Sequence, residues 1–353
     1  MIEHLSETSA NTLQIDLRSD TVTRPTQQMY EAMVTAALGD DGLDGDPTVR
    51  DLERYTAELL GKESGVYMPS ATMANLTAVM ALTQRQDLVL AHESSHIYGA
   101  ERGGAALSGT FYQPIRGDRG SLDLTDLEVA LASNRSKLRT TLVCMETSHN
   151  SAGGAVPSLQ HMERVAFLAH GRGASLHLDG ARLFNAAAYL NVPAASIAAH
   201  ADTACICLSK GLSAPMGAVL TGTQSVIDKA RALRRHLGGS QRQAGIAASA
   251  GLIALQTMVG RLKEDHERAA TLSIGLGKIA SLKVSNPQTN IVQVDVSETG
   301  NDAQAWERRL LTRGVLVRPW GKNLLRCVTH RHIDNDAVER AIAAFVAEAN
   351  LSS

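Results

Sequence analysis

Short apolar runs recur through the middle of the chain, and each breaks off in polar residues. Ser64 to Met68, Asp87 to Ala91, Thr141 to Met145, Ser175 to Leu178, Thr203 to Leu208 and Met216 to Thr221 have the length and content of buried strands. Helical patterns lie between them. Met73 to Thr83 reads as a helix opened by Ser70-Ala-Thr72. Ser158 to His170 carries Leu159, Met162, Val165, Ala166 and Leu168 at roughly helical spacing. This β-α-β alternation predicts a largely parallel sheet with helices on both faces, and in such sheets ligands sit at the strand ends. From about Thr223 to Leu282 the pattern is nearly all helical. Beyond Lys283 it becomes mixed: strands at Asn290 to Val296 and Leu324 to Val328, helices at Ala303 to Arg313 and Asp334 to Ala349. The predicted organisation is an N-terminal segment (1–25), a large α/β domain (26–255) and a small C-terminal α+β domain (256–353).

The chain has 353 residues and is 44% hydrophobic, enough for a substantial core. Its net charge of −2 and the lack of any long charge run give no electrostatic reason for a nucleic-acid or membrane partner. Aromatic content of 3% argues against stacking platforms for single strands. No apolar run has the length of a membrane span. The polar, acidic stretch Met1 to Gln14 lacks the basic flank and apolar core of a signal peptide, so a cytoplasmic protein is expected. Cys144, Cys205, Cys207 and Cys327 all lie in strand-like runs. A zinc site would want two close pairs and only one exists, so buried reduced thiols and no metal are expected.

Two of the predicted strands end in informative chemistry. Leu176-His-Leu-Asp179-Gly-Ala-Arg182 delivers a carboxylate and a guanidinium, and Ile206-Cys-Leu-Ser209-Lys210-Gly211 delivers a hydroxyl and an amine. A carboxylate and a lysine at successive strand ends are what pyridoxal 5'-phosphate (PLP) needs. The carboxylate keeps the pyridine nitrogen protonated and the lysine holds the aldehyde as a Schiff base. Either segment alone is commonplace; their order and spacing carry the reading. The Ser70-Ala71-Thr72 turn, as a helix N-terminus, suits a phosphate dianion, or it is a plain cap. His96 and His149 each follow a predicted strand, where a histidine is either structural or a proton acceptor. Arg326 is a charge inside an apolar run: a salt bridge, or a bidentate grip on a substrate carboxylate. The basic residues Arg231, Arg234, Arg235 and His236 read first as a solvated helix face, with a subunit interface or phosphate contact as alternatives.

The opening run Asp16-Leu-Arg18-Ser19-Asp20-Thr21-Val-Thr-Arg24-Pro25-Thr26 resembles the N-terminal signature of the L-threonine aldolase (β-eliminating lyase) family. The likeness continues in order through Gly39-Asp40-Asp41, Asp46-Pro47-Thr48-Val49, Pro69-Ser70-Ala71-Thr72-Met-Ala-Asn75 and His96-Ile-Tyr98. It then runs through Glu146-Thr-Ser-His149-Asn150, His177-Leu-Asp179-Gly-Ala-Arg182, Ser209-Lys210-Gly211, Arg242-Gln243-Ala-Gly245 and Leu325-Arg326-Cys-Val-Thr329-His330. The resemblance implies a fold-type I PLP enzyme: α/β, with a mainly parallel seven-stranded sheet in the large domain and a small C-terminal α+β domain. It implies retro-aldol cleavage of L-threonine, L-allo-threonine or related β-hydroxy-α-amino acids to glycine and an aldehyde. It also implies a homodimer or homotetramer with shared sites. By position, Lys210 is similar to the Schiff-base lysine, Asp179 to the partner of the pyridine nitrogen, and His96 to the histidine that stacks on the ring. Ser70, Ala71, Thr72 and Ser209 match the phosphate contacts, and Arg242 matches one from the neighbouring subunit. Ser19, Arg182 and Arg326 match the groups that grip the substrate carboxylate, and His149 matches the histidine near the β-hydroxyl. The sequence departs from the family pattern at Leu43, Ala71, the run after Asn150 and Arg318-Pro-Trp320-Gly-Lys322. Most of these changes fall where the substrate side chain is expected. β-Elimination, racemisation and transamination on the same cofactor stay open as rival reactions.

Overall fold

The continuous apolar runs become strands because helices cover both of their faces. In the computed structural model, which describes residues 14–133 and 138–351, seven strands form one sheet. They are β1 (Ser64–Met68), β2 (Leu88–His92), β3 (Phe111–Ile115), β4 (Thr140–Glu146), β5 (Ser175–Gly180), β6 (Thr203–Cys207) and β7 (Ala218–Gly222). Their spatial order is β1-β7-β6-β5-β4-β2-β3. Strand β7 runs antiparallel to β1 and β6, and every other pair is parallel.

Alternate residues of one strand enter different cores. Val66 and Met68 pack with Cys205, Leu220 and Ile227 on one face, while Tyr67, Ile206 and Val219 join the larger core on the other. A strand buried on both faces has no regular polar alternation to show, which is why these runs are mostly apolar. The exception is β3, an edge strand that is mostly exposed and carries Pro114, which has no N–H to offer a ladder.

Helices α1 (Gln27–Thr35) and α2 (Pro47–Leu60) were not predicted, although α2 has clear local signals. Asp46 accepts from the Val49 N–H, Pro47 occupies the first turn, and the helix stops at Gly61 with φ 64°. Helix α3 (Ala71–Leu82) starts where Ser70 accepts from the Met73 N–H at 3.2 Å.

The chain divides into two compact units, Thr23–Lys263 and a smaller one in which the described residues up to Val22 join Glu264 and beyond. The breaks thus fall at 22/23 and 263/264, against the expected 25/26 and 255/256. In the smaller unit Ile15–Asp16 pairs in parallel with Val315–Leu316, and an antiparallel sheet is built around Ile291–Asp295 and Leu324–Val328. Its core contains Trp306 stacked on Phe345 with ring centroids 5.7 Å apart. Residues 1–13, most of the stretch read as lacking a signal peptide, lie outside the described residues. No single helix among the described residues is long and apolar enough to cross a membrane. All four cysteines are free and buried.

Candidate active site

The C-terminal ends of β2, β4, β5 and β6 each run into polar residues: His92, Glu146, Asp179 and Ser209. Asp179 is the penultimate residue of β5 and is almost fully buried. Its Oδ1 accepts from the Ala181 N–H at 3.1 Å and its Oδ2 from the Asn75 amide at 3.0 Å. Lys210 lies just beyond the neighbouring strand, half-buried, and its carbonyl accepts from the Thr23 hydroxyl at 2.8 Å. Cys205 pairs with Asp179 in the ladder. Burial pushes the Cys205 thiol up, Asp179 adds to the shift, and the Lys210 ammonium opposes it.

Glu146, at the end of β4, stands opposite Asp179 in the same sheet. Its carboxylate accepts from the backbone N–H of His96 at 2.6 Å and of Asn150 at 2.7 Å, so one side chain ties two loops together. Burial, and then the nearby Asp179, push its carboxyl up to about 7. His96 opens the short helix α4 (His96–Gly99), and its Nδ1 lies 2.7 Å from Glu101 Oε1. That hydrogen bond holds His96 above the usual histidine range.

His149 is completely buried, and neither ring nitrogen has a hydrogen-bond partner. Its Nε2 is 4.0 Å from Glu146 Oε2, and its ring meets His92 edge-on at 4.9 Å. Burial lowers it to about 4, so it is neutral near pH 7. The neighbouring hydroxyls of Thr147 and Ser148 are also buried without partners. A tight hairpin (Gly117–Asp118 with Ser121–Leu122) lies against His149, and at Gly120 (φ 82°) a Cβ would sit 2.3 Å from the imidazole. Arg182, buried at the start of α5 (Leu183–Leu190), reaches Asn150 Oδ1 from Nη1 at 3.3 Å.

The structure thus brings Asp179, His96, His149 and Arg182 together through Glu146, Glu101, Asn75 and Asn150. Ser70, Ala71 and Thr72 form the first turn of α3, and Cys205 Sγ approaches the Ala71 carbonyl at 3.9 Å, so that turn faces β6. Ser209 lies 3.5 Å from Cys207 Sγ. Arg242 is mostly exposed and pairs with Asp40 at 3.1 Å. Ser19 and Arg326 belong to the smaller unit. There Arg326 is buried, donates to the Arg18 carbonyl at 3.0 Å and lies 4.2 Å from the Trp320 ring centroid. The basic cluster splits: Arg231 grips Glu53 through both guanidinium ends, Arg234 is buried against Asp41, and only Arg235 and His236 form a solvated face.

Sequence reasoning assigned no role to Asn75, Glu101, Glu146 or His177. His177 had a usable signal, since it lies two residues before Asp179 and therefore on the same face of a strand. Glu101 had none. His96, Glu101 and Asp179 place donor atoms within 4.8 Å of one another, close enough for a cation, but the Asn75 amide already donates toward both carboxylates. For PLP the donor set fits: an amine at Lys210, a buried anionic acceptor at Asp179, an imidazole at His96 and a helix N-terminus at Ser70 to Thr72.

Comparison with known proteins agrees. Residues 16–299 match the family model described as β-eliminating lyase. A probable low-specificity L-threonine aldolase 2 of Arabidopsis thaliana is 39% identical over 94% of this chain and 96% of its own length. The low specificity L-threonine aldolase of Escherichia coli K12 is 37% identical over 93% and 97%. The alanine racemase TOXG of Cochliobolus carbonum is 31% identical over 98% and 90%. Among solved structures, a putative L-allo-threonine aldolase of Listeria monocytogenes superposes with a TM-score of 0.81 at 21% identity, covering 96% of this chain and 97% of that one, which supports the fold. With a family match over residues 16–299 and relatives 37–39% identical over more than nine-tenths of the chain, this chain belongs to the β-eliminating lyase family.

Proposed function

We propose that the protein is a PLP-dependent aldolase that cleaves L-threonine, L-allo-threonine or related β-hydroxy-α-amino acids to glycine and an aldehyde. The observation that carries this is the pairing of Asp179 and Lys210 at adjacent strand ends in a chain 37–39% identical to low-specificity threonine aldolases. When bound, PLP supplies an aldehyde that captures the substrate amine and a ring that accepts the electron pair of the breaking bond.

The protein's part is to hold and to orient. Lys210 anchors the cofactor, Asp179 offers a carboxylate to the ring nitrogen, and His96 covers the ring. The N–H groups of the first turn of α3, with Ser70, Thr72 and Ser209, take the phosphate, and Arg242 adds a contact from a second subunit. Arg182 grips the α-carboxylate, which selects the Cα–Cβ bond for cleavage. His149 is neutral at working pH, so it can accept the β-hydroxyl proton, and Glu146 stands 4.0 Å away to stabilise the imidazolium that results.

The likeness to an alanine racemase keeps racemisation as the second reading, since Asp179 and Lys210 serve it equally well. Two finer expectations also stand as proposals. Tyr30 and Val34 on α1, with Leu38 and Leu43 nearby in sequence, are large exposed apolar residues suited to a second copy of the chain. Four free buried thiols suit a reducing, cytoplasmic setting, which cell fractionation checks.

The test offers L-threonine, L-allo-threonine, L-phenylserine and L-alanine to the PLP-loaded protein, with Lys210→Ala as control. Glycine and aldehyde release, chiral analysis of alanine and sedimentation mass are measured together. Lys210-dependent glycine release is expected, from a particle of at least two chains. D-Alanine without glycine would establish the racemase instead, and a monomer would sink the shared site.

A further inference from the structure

Behind Asp179 lies a row of buried polar side chains that the reaction itself does not use. Asn75, on α3, is 1% exposed. Its Nδ2 donates to Asp179 Oδ2 at 3.0 Å and reaches the Glu101 carboxylate at 3.3 Å. Its Oδ1 lies 3.0 Å from His177 Nε2, and His177 Nδ1 lies 2.8 Å from the Thr203 hydroxyl. Glu101 in turn holds His96 Nδ1 at 2.7 Å.

We propose that Thr203, His177 and Asn75 are positioning residues that together fix the Asp179 carboxylate and, through Glu101, the His96 ring, so that PLP affinity and the electronic state of the bound cofactor depend on a hydroxyl on β6. The proposal rests on the reading of this site as the PLP site.

The hydrogen-bond directions follow from what each group can do. Two carboxylates face the Asn75 amide, so its NH2 points at them and its Oδ1 points at His177. That oxygen only accepts, so His177 Nε2 carries the hydrogen. His177 is buried among apolar strands and is lowered to about 4, hence neutral, with one donor and one acceptor. Its Nδ1 therefore accepts, and the Thr203 hydroxyl must donate. Every polar atom of His177 and of the Asn75 amide then has a role, a condition under which a buried network is rigid. The residues come from three places: Asn75 from α3, His177 and Asp179 from the same face of β5, and Thr203 from β6, where it pairs with His177 in the ladder. Losing the Thr203 hydroxyl leaves Nδ1 without a donor and frees the ring to take its other tautomer, in which Nε2 no longer donates to Asn75 Oδ1 and the amide loses one of the bonds that hold it on Asp179.

The experiment compares Thr203→Val, which keeps the shape and loses the hydroxyl, with Thr203→Ser, which restores the hydroxyl, and with Asn75→Leu. Each full-length protein is titrated with PLP, and the dissociation constant and the absorbance spectrum of the bound cofactor are recorded beside thermal melting of the apoprotein. Thr203→Val is expected to weaken PLP binding by about tenfold and to change the ratio of visible to near-ultraviolet bands, as one lost buried hydrogen bond would. Thr203→Ser is expected to stay within about twofold of wild type, and Asn75→Leu to lose about a hundredfold. If Thr203→Val binds PLP as wild type does and with the same spectrum, or if Thr203→Ser loses as much as Thr203→Val, the relay is wrong and the site assignment stands. If wild type takes up no PLP, both fall.

Discussion

His149 shows how much a single residue owes to its surroundings. Its sequence position says only that a histidine follows a strand; the structure buries it, leaves both ring nitrogens unpartnered and backs it with the hairpin at Gly120. Gly120 has φ 82°, and a Cβ there would overlap the imidazole. Gly120→Ala is therefore expected to push His149 aside, lowering kcat by ten- to a hundredfold. PLP absorbance should hardly change, because the groups proposed to hold the cofactor are elsewhere; equal loss of both would refute the assignment. The residues that the sequence singles out as candidates, Lys210, Asp179 and the Ser70 turn, are those whose side-chain type at a strand or helix end already implies a chemistry. Glu146, Glu101 and Asn75 were not legible. A buried carboxylate tying His96 to Asn150, or an amide shared by two acids, is defined by partners 26 to 104 residues away in the chain or by a loop path that no local pattern encodes.

At the scale of elements, six of the seven strands of the large sheet were readable to within a residue or two because burial on both faces makes them mostly apolar. Helices α1 and α2 were missed, and their anchoring is tertiary. Asp46 caps α2 through Val49 and also accepts from the backbone N–H of Gly39 at 3.1 Å and of Gly245 at 3.0 Å, joining the loop before α2 to the start of helix Gly245–Thr257. Removing it would orphan three donors, two of them on other segments. Asp46→Ala is expected to cost about 2–4 kcal/mol, more than the ~1 kcal/mol of an ordinary cap. Urea unfolding measures this, and a loss no larger than that of Asp334→Ala, a capping residue of helix Asn335–Ala349, would show the extra bonds to be idle. The short edge strand β3 escaped prediction for a different reason: exposure and Pro114 erase the apolar signature.

At the scale of the whole molecule, burial shapes the acid response. His149, His177 and His266 are each lowered to about 4 by desolvation, while Glu146 is raised to about 7 by burial and by Asp179. Between pH 6.5 and 4 the unfolded chain protonates all three histidines and the folded one does not, whereas Glu146 releases its proton on unfolding. The net effect is uptake of about two protons on unfolding, so these groups make stability fall as pH falls through that window, by up to about 2–3 kcal/mol per pH unit. Urea midpoints of the apoprotein at pH 7.5, 6 and 5 should decline in that order; a flat series would mean these histidines are not buried in solution.

The sequence alone determined the fold class and the cofactor, and it singled out Asp179 and Lys210 as the residues proposed to hold that cofactor, because strand burial, helix starts and the pairing of a carboxylate with a lysine are local statements about residue type and spacing. It could not determine that the N-terminal strand Ile15–Asp16 pairs with Val315–Leu316, nor that Asn75, His177, Glu101 and Glu146 support Asp179 and His96. Those facts were decided by tertiary structure, since a hydrogen bond between buried groups depends on where the chain returns in space, and burial itself raises Glu146 and lowers His149 and His177 from the values their types suggest.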